Sequence, residues 1–246
     1  MSESVRKRRA DEKITCVIAS QKPWQNSMAE SLRNKTGHEF VQVVDPEQFN
    51  VASLSSINPR YVFLPHWSHR VRSTIYERFE CIIFHMTDVP FGRGGSPLQN
   101  LISRGIYETK ISAIRCVEEL DAGPVYLKRA LSLHGSAEEI FVRASAIMEE
   151  MIVEIVDREP EPRDQDGAIT VFKRRTPEQS DLATARSLDE VFDTIRMLDA
   201  EGYPRAFLDV GPLRLEFSRA ARKVDRVLAD VQISLPAARK RNETKQ

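Results

Sequence analysis

A histidine, an aspartate and a glycine-rich run are the residues of this 246-residue sequence that could carry out acid–base chemistry. His85 directly follows an apolar run at residues 81–84, and Asp121 opens an Asp-Ala-Gly-Pro turn. A carboxylate beside an imidazole fixes its tautomer and stabilises its protonated form. The glycine-rich run at residues 92–95 allows the backbone to approach a ligand closely. Two interpretations remain open, a catalytic pair or a structural histidine beside an ordinary turn.

Short apolar strands alternate with helical segments over the first two-thirds of the chain. This alternation predicts an α/β, Rossmann-like domain with a mostly parallel sheet. The predicted strands are residues 14–19, 40–44, 61–64, 81–84, 111–117 and 125–131. His85 then stands at the carboxyl end of a strand, where open α/β folds bind ligands. A long helix is predicted from Ser136, which has capping-box spacing to Glu139.

A change of composition predicts two domains. Residues 158–167 combine prolines with charges and contain no apolar residue that would form a core, so we predict a linker there. The remaining parts are a disordered basic tail (1–12), a catalytic domain (13–157), a small C-terminal α+β subdomain (168–222) and a charged tail (223–246). Within the subdomain, a helix at 187–200 and a strand pair at 206–210 and 213–217 are expected.

The charge and cysteine content limit the classes of partner. Lys and Arg total 36 and so do Asp and Glu, which gives no global electrostatic case for nucleic acid or an anionic membrane. We therefore expect neither as a partner. Cys16, Cys81 and Cys116 show no disulfide or metal-ligand spacing, so no metal is predicted. A cytoplasmic protein fits these features best.

Several short motifs resemble one enzyme family. The run His-Met-Thr-Asp-Val-Pro at residues 85–90, with Arg-Gly at 93–94 and Ser-Pro at 96–97, closely resembles the core motif of folate-dependent formyltransferases. The turn at 121–124 is similar to the Asp-Thr-Gly-Pro segment of that family. Residues 203–207 resemble its small C-terminal domain. The resemblance implies a methionyl-tRNA formyltransferase-like fold and an N-formyltransferase activity.

The resemblance also implies a mechanism. An amine would attack the formyl carbon of N10-formyltetrahydrofolate, the expected co-substrate, and give a tetrahedral intermediate that bears an oxyanion. His85 would donate to that oxyanion or manage the proton of the amine. Asp121 would orient His85 and relay a proton through water. A catalytically inactive binding module with the same fold is the alternative.

The donor site carries one departure from the family pattern. The expected donor-binding residues are His66, Trp67, Ile83, Thr87, Arg93, Gly94, Gly95 and Leu120. Where the family has an asparagine two residues before the histidine, this chain has Ile83, which cannot donate to an oxyanion. We expect His66 to replace that donor and Trp67 to line the donor pocket, whereas His69 fills the loop.

The acceptor is expected to be the amine of a nucleotide-linked amino sugar, as in cell-surface polysaccharide biosynthesis. The motifs most resemble the formyltransferase subgroup that acts on such sugars, including its missing asparagine. Lys173, Arg174 and Arg175 could clamp a nucleotide diphosphate, or they could be solvated charges beside a strand. The alternative acceptors are an aminoacyl-tRNA or another amine. A homodimer is left open as a further partner.

Overall fold

The computed structural model describes residues 13–235; the predicted tail at 1–12 and residues 236–246 of the predicted charged tail lie outside these. Within them, the strands are β1 (Thr15–Ala19), β2 (Glu39–Val43), β3 (Tyr61–Pro65), β4 (Cys81–His85), β5 (Arg93–Gly94), β6 (Glu108–Arg115), β7 (Val125–Ser132), β8 (Val171–Phe172), β9 (Ala206–Val210), β10 (Leu213–Arg222) and β11 (Val227–Ser234). The α-helices are α1 (Met28–Thr36), α2 (Val51–Ile57), α3 (Ser73–Tyr76), α4 (Pro97–Ile102), α5 (Ala137–Arg158) and α6 (Leu188–Arg196).

A six-stranded sheet with the order β2-β1-β3-β4-β6-β7 forms the centre of the fold. The pairs β1–β2, β1–β3 and β3–β4 are parallel, and β4–β6 is antiparallel. Every residue of β3 is buried, as are residues 16–19 of β1, which explains their continuous apolar sequences. The predicted α/β class with a mostly parallel sheet is confirmed.

The chain divides into two compact units whose segments alternate along the sequence. Unit 1 comprises residues 13–93, 110–131 and 142–171 and carries the six-stranded sheet. Unit 2 comprises residues 94–109, 132–141 and 172–235 and carries the sheet β11-β10-β9. The predicted linker at residues 158–167 lies within unit 1, and the predicted domain bounds stay a prediction.

Local signals account for the helix ends and the C-terminal strands. Ser136 and Glu139 exchange the two hydrogen bonds of a capping box, at 3.3 and 2.7 Å, which confirms the predicted start of the long helix. The predicted strand pair is confirmed by β9 and β10, which pair antiparallel across the turn that holds Gly211.

Among the described residues, no helix has both the length and the apolar character needed to cross a membrane.

Residues 227–234 differ from the predicted charged tail, because they form β11. This strand pairs antiparallel with β10, and its Val231 and Ile233 lie opposite Phe217 and Leu215. The alternation of apolar and polar residues at 231–234 is a strand signal, but the charges before it obscured the pattern. The sheet therefore extends beyond the predicted subdomain.

Candidate active site

His85 is buried at the carboxyl end of β4. The preceding residues of this strand pack into the sheet between β3 and β6, so the backbone at His85 is fixed on both sides. In the antiparallel ladder His85 lies opposite Ser112 of β6. The strand thus presents the imidazole at the sheet edge where the sequence predicted it.

Asp121 lies in a tight turn between β6 and β7 and is buried. Its φ of 55° is in the left-handed region, which side chains other than glycine rarely adopt. Two residues later, Gly123 has no room for a side chain, because an ideal Cβ would stand 1.9 Å from the carbonyl oxygen of Arg115. Arg115 N also donates to Pro124 O at 2.8 Å. The turn is therefore held tightly against β6.

The structure brings His85 and Asp121 together. Nδ1 of His85 lies 3.5 Å from Oδ2 of Asp121, and Nε2 lies 2.8 Å from the carbonyl oxygen of Gly92. A carbonyl can only accept, so Nε2 carries a proton and donates to it. The other ring nitrogen, Nδ1, then faces the carboxylate of Asp121. This arrangement can deliver or remove a proton beside the glycine-rich loop.

Thr87 braces the loop that follows His85. Its hydroxyl donates to Gly92 O at 3.3 Å, and its own carbonyl accepts from Ser112 Oγ at 2.7 Å. Because Thr87 and Ser112 are both buried, these bonds hold the loop together and attach it to β6. Ser112 was not among the residues predicted for the site, because its place opposite His85 exists only once β4 and β6 have paired.

Arg93 is buried and its guanidinium is held by protein groups. Nε donates to Gln165 Oε1 at 3.0 Å, and Nη1 pairs with Glu119 at 3.3 Å. Gln165 in turn donates from Nε2 to the backbone oxygens of Asp121 and Gly123, both at 2.8 Å. No sequence pattern pointed to Gln165 or Glu119, because both lie in polar, irregular segments.

The two glycines after Arg93 are required by close backbone packing. A Cβ on Gly94 would stand 2.5 Å from the carbonyl oxygen of Phe172, and one on Gly95 would stand 2.7 Å from Cα of Arg174. Gly95 N also donates to Phe172 O at 3.1 Å. Packing against residues 172–174 thus explains why both positions are glycine. That these two residues also bind the donor stays a prediction.

His66 and Trp67 follow β3 and are half-buried. His66 has a φ of 52°, and burial, together with the charge of Lys22, lowers its pKa to about 3, so its ring is neutral at pH 7. Trp67 packs on Phe49, with ring centroids 4.9 Å apart. Trp67 and the half-buried Ile83 pack against the same apolar cluster.

Two other residues near the site lie at its margins. Nε2 of His69 lies 2.7 Å from Gln21 Oε1, which supports the interpretation of His69 as a loop residue. Leu120, directly before Asp121, is 63% exposed. The side chain of Leu120 therefore exposes apolar surface beside the buried carboxylate of Asp121. Contact between Leu120 and a donor stays a prediction.

Lys173, Arg174 and Arg175 lie in unit 2. Lys173 and Arg174 are exposed, whereas Arg175 is half-buried, and burial and then the charge of Arg104 lower the pKa of Arg175. Within residues 13–235, none of these four cations has a carboxylate oxygen within 4.0 Å. We call Arg104 and residues 173–175 the cationic cluster.

Within the same described range, no group of three or more possible metal ligands occurs.

The sequence of this chain is similar to those of methionyl-tRNA formyltransferases. A sequence model of the methionyl-tRNA formyltransferase C-terminal domain matches residues 177–234. Methionyl-tRNA formyltransferase of Thermotoga neapolitana is 26% identical over 207 residues, which are 81% of this chain and 62% of that protein. This chain thus spans less than two thirds of that relative. Such relatives oppose the expectation that nucleic acid is not a partner, because they are named for a tRNA.

Solved structures extend the comparison over the whole fold. A sugar N-formyltransferase from Shewanella is 13% identical, with a TM-score of 0.67 over 86% of this chain and 99% of that chain, and shares the fold. A methionyl-tRNA formyltransferase from Clostridium thermocellum is 46% identical, with a TM-score of 0.88 over 90% of this chain and 99% of that chain. On that identity and coverage, the chain belongs to the formyltransferase family.

Proposed function

We propose that this chain transfers the formyl group of N10-formyltetrahydrofolate to an amine. The observation that carries the proposal is the buried pair of His85 and Asp121 at the carboxyl end of β4, with Nδ1 and Oδ2 3.5 Å apart. Catalytic hydrogen bonds of this length tighten when a reactive complex forms. An inactive module would have no need to keep a buried titratable pair beside a glycine-rich loop.

The transfer requires two proton movements that the pair can serve. The bond between the formyl carbon and N10 breaks, and a bond from that carbon to the acceptor nitrogen forms. One proton leaves the amine, and one is delivered to N10. Asp121 accepts the amine proton, directly or through water, and returns a proton to N10 by the same route, while His85 exchanges its Nε2 bond to Gly92 O for one toward the charge that develops on the formyl oxygen.

The donor is proposed to bind beside the apolar surface of Trp67 and Ile83. These residues fit a flat heteroaromatic group, since both are apolar and only half-buried and the indole nitrogen of Trp67 has no hydrogen-bond partner among residues 13–235. Thr87 and Arg93 would shape the loop around the donor. Backbone groups of residues 94–95 and the side chain of Leu120 complete the proposed set.

His66 is proposed to supply the hydrogen bond that the family asparagine provides elsewhere. Its ring is neutral at pH 7, because burial and the charge of Lys22 lower its pKa to about 3. A neutral imidazole carries one N–H that can donate to a developing oxyanion, and it adds no charge to the donor site.

The proposed acceptor is the amine of an aminoacyl-tRNA, with methionyl-tRNA first. The relatives that support this proposal are the 46% identical protein from Clostridium thermocellum and the protein from Thermotoga neapolitana, both named methionyl-tRNA formyltransferases. The cationic cluster offers side chains for phosphate groups, because Arg104 and Arg175 lie close enough to repel each other and no described carboxylate balances them.

A nucleotide-linked amino sugar is the second proposed acceptor. It is favoured because most of the arginines in unit 2 are paired with aspartates, which leaves few cations to bind phosphate groups. The ion-paired arginines of unit 2 are Arg196, Arg205, Arg214, Arg219, Arg222 and Arg226, each beside an aspartate. Neutralised arginines contribute little to binding a long phosphate backbone. A cluster the size of residues 173–175 suits a diphosphate.

An acceptor panel tests these proposals. The full chain is incubated with N10-formyltetrahydrofolate and either methionyl-tRNA or amino sugars linked to UDP or dTDP. The masses of the products are then measured by mass spectrometry. A gain of one formyl group on one acceptor class identifies it. Folate binding without transfer to any acceptor would support the inactive module instead.

A charge variant then tests the cationic cluster. Arg175→Gln should weaken acceptor binding and reduce its salt dependence, whereas the matched Arg226→Gln, which removes an arginine already paired with Asp225, should do neither. For tRNA, the logarithm of the affinity should fall steeply with the logarithm of salt concentration. Equal effects of the two variants would exclude the cluster from acceptor binding.

A further inference from the structure

The carboxamide of Gln165 joins the turn that carries Asp121 to the guanidinium of Arg93. Nε2 donates to the backbone oxygens of Asp121 and Gly123, each at 2.8 Å, and Oε1 accepts from Arg93 Nε at 3.0 Å. Both amide protons are therefore used. We propose that Gln165 is a positioning residue that holds Asp121 within reach of His85. This inference rests on the proposed formyl transfer.

Asp121 requires support from outside its own turn. A residue other than glycine at a φ of 55° is strained and persists only where its surroundings over-determine it. On one side, Gly123 is pressed against the carbonyl of Arg115, which limits movement toward β6. On the other side, Gln165 binds the carbonyl of Asp121 itself. The two restraints together define where the carboxylate can stand.

The segment that holds Gln165 is itself anchored. Arg163 and Val125 exchange two backbone hydrogen bonds of 2.9 and 2.7 Å, next to the turn. Further along, Thr170 N donates to Pro90 O at 3.1 Å, and Arg93 N donates to Thr170 O at 3.0 Å. Gln165 is thus fixed between two attachment points, so its side chain can transmit order to the turn.

Arg93 closes the arrangement, because it also reaches the chain just before Asp121. Its Nη1 lies 3.3 Å from Oε1 of Glu119, two residues before the aspartate. The side chain of Gln165 and the ion pair therefore hold the turn at two points. A segment that composition predicted to be a plain linker contributes directly to the geometry of the catalytic pair.

Two substitutions separate the bonds of Gln165. Gln165→Leu removes all three hydrogen bonds at similar volume. Gln165→Glu keeps an acceptor for Arg93 but sets a carboxylate against the carbonyls of Asp121 and Gly123. If support of the turn is what matters, both variants fail; if anchoring Arg93 is what matters, only the leucine variant fails. Gln48→Leu, at an exposed surface turn, is the matched control.

The kinetic test measures kcat and KM for the acceptor and donor identified with the wild type. We expect both Gln165 variants to lower kcat by about tenfold to a hundredfold, since the loss of hydrogen bonds to buried groups has costs of this order. KM should change less than about threefold, because the side-chain hydrogen bonds of Gln165 all go to protein groups. In an Asp121→Asn background, Gln165→Leu should cost little more, as expected for a residue that acts through Asp121.

A second measurement keeps the inference testable without activity. Hydrogen exchange of peptides that cover residues 119–125 should be about tenfold faster in Gln165→Leu than in the wild type or Gln48→Leu, while peptides from β4 exchange unchanged. An inactive wild type would refute the proposed function and leave this test in force. Unchanged exchange, or an active wild type with unchanged kcat in both variants, would overturn the role of Gln165.

Discussion

Gly123→Ala is the substitution whose effect on the active site follows most directly from the geometry. The new Cβ would stand 1.9 Å from Arg115 O, whereas ordinary contact begins at 3.4 Å, so the turn or β6 must move by about 1.5 Å. β6 is held by its neighbours in the sheet, so the turn is the part that moves. Asp121, two residues earlier, moves with it.

The expected losses are measurable in both stability and rate. Overpacking of this kind costs about 1–3 kcal/mol, which lowers Tm by about 2–12 °C in a chain of this length. A displacement of about 1 Å at a catalytic group can lower turnover by about a hundredfold. We therefore expect kcat to fall by about that factor, with KM within about threefold of the wild type.

Gly37→Ala provides the matched control, measured by calorimetry and steady-state formyl transfer beside Gly123→Ala. Gly37 has a φ of 72° and no atom within 4 Å of its ideal Cβ, so alanine adds backbone strain without a clash. That strain costs about 1–2 kcal/mol and should leave kcat unchanged. The reasoning is refuted if Gly123→Ala keeps kcat within threefold, or if both variants lose turnover equally.

The remaining predictions concern the histidines. His85→Ala or Asp121→Asn should nearly abolish transfer with little change in Tm; turnover within about threefold of wild type would remove that residue from the mechanism. His66→Phe should lower kcat by about two orders of magnitude with little change in donor Kd, and Ile83→Asn should restore part of the loss; unaffected kinetics would exclude His66. Burial lowers the pKa of His66 to about 3, so between pH 6.5 and 3 the unfolded chain binds the extra proton. As the pH is lowered from 6.5 to 3, this histidine should therefore lower the free energy of unfolding by about 1.4 kcal/mol per pH unit. Chemical denaturation should show that His66→Phe lacks this contribution.

The sequence predicted the sheet from short-range signals and the pairing of His85 with Asp121 from a motif resemblance, and the catalytic role of that pair stays a prediction. Continuous apolar runs such as residues 61–64 indicate buried strands, and the motif around His85 stands directly after one. Ser112 was missed, since its role depends on lying opposite His85 in a ladder that only the fold creates.

Other parts of the site depend on contacts between distant residues. Gln165 lies 44 positions from Asp121, and nothing in the sequence around it differs from an ordinary polar linker. Gly94 and Gly95 pointed to a ligand loop, yet the atoms that exclude their side chains belong to residues 172–174. Sequence patterns report local conformation well, but they do not report which backbone will pack against a glycine.

The alternation of the two units along the chain has a consequence for synthesis and engineering. The chain passes from one unit to the other five times between residues 93 and 172, so neither unit is a continuous stretch. In unit 2, Asn100 and Gln99 of α4 bond to the carbonyls of Lys173 and Met197. On the ribosome, α4 must therefore wait for about 75 to 100 later residues before its partners exist. A gene cut at residue 167 would yield an incomplete protein, and exchange of unit 2 between relatives requires several joined segments.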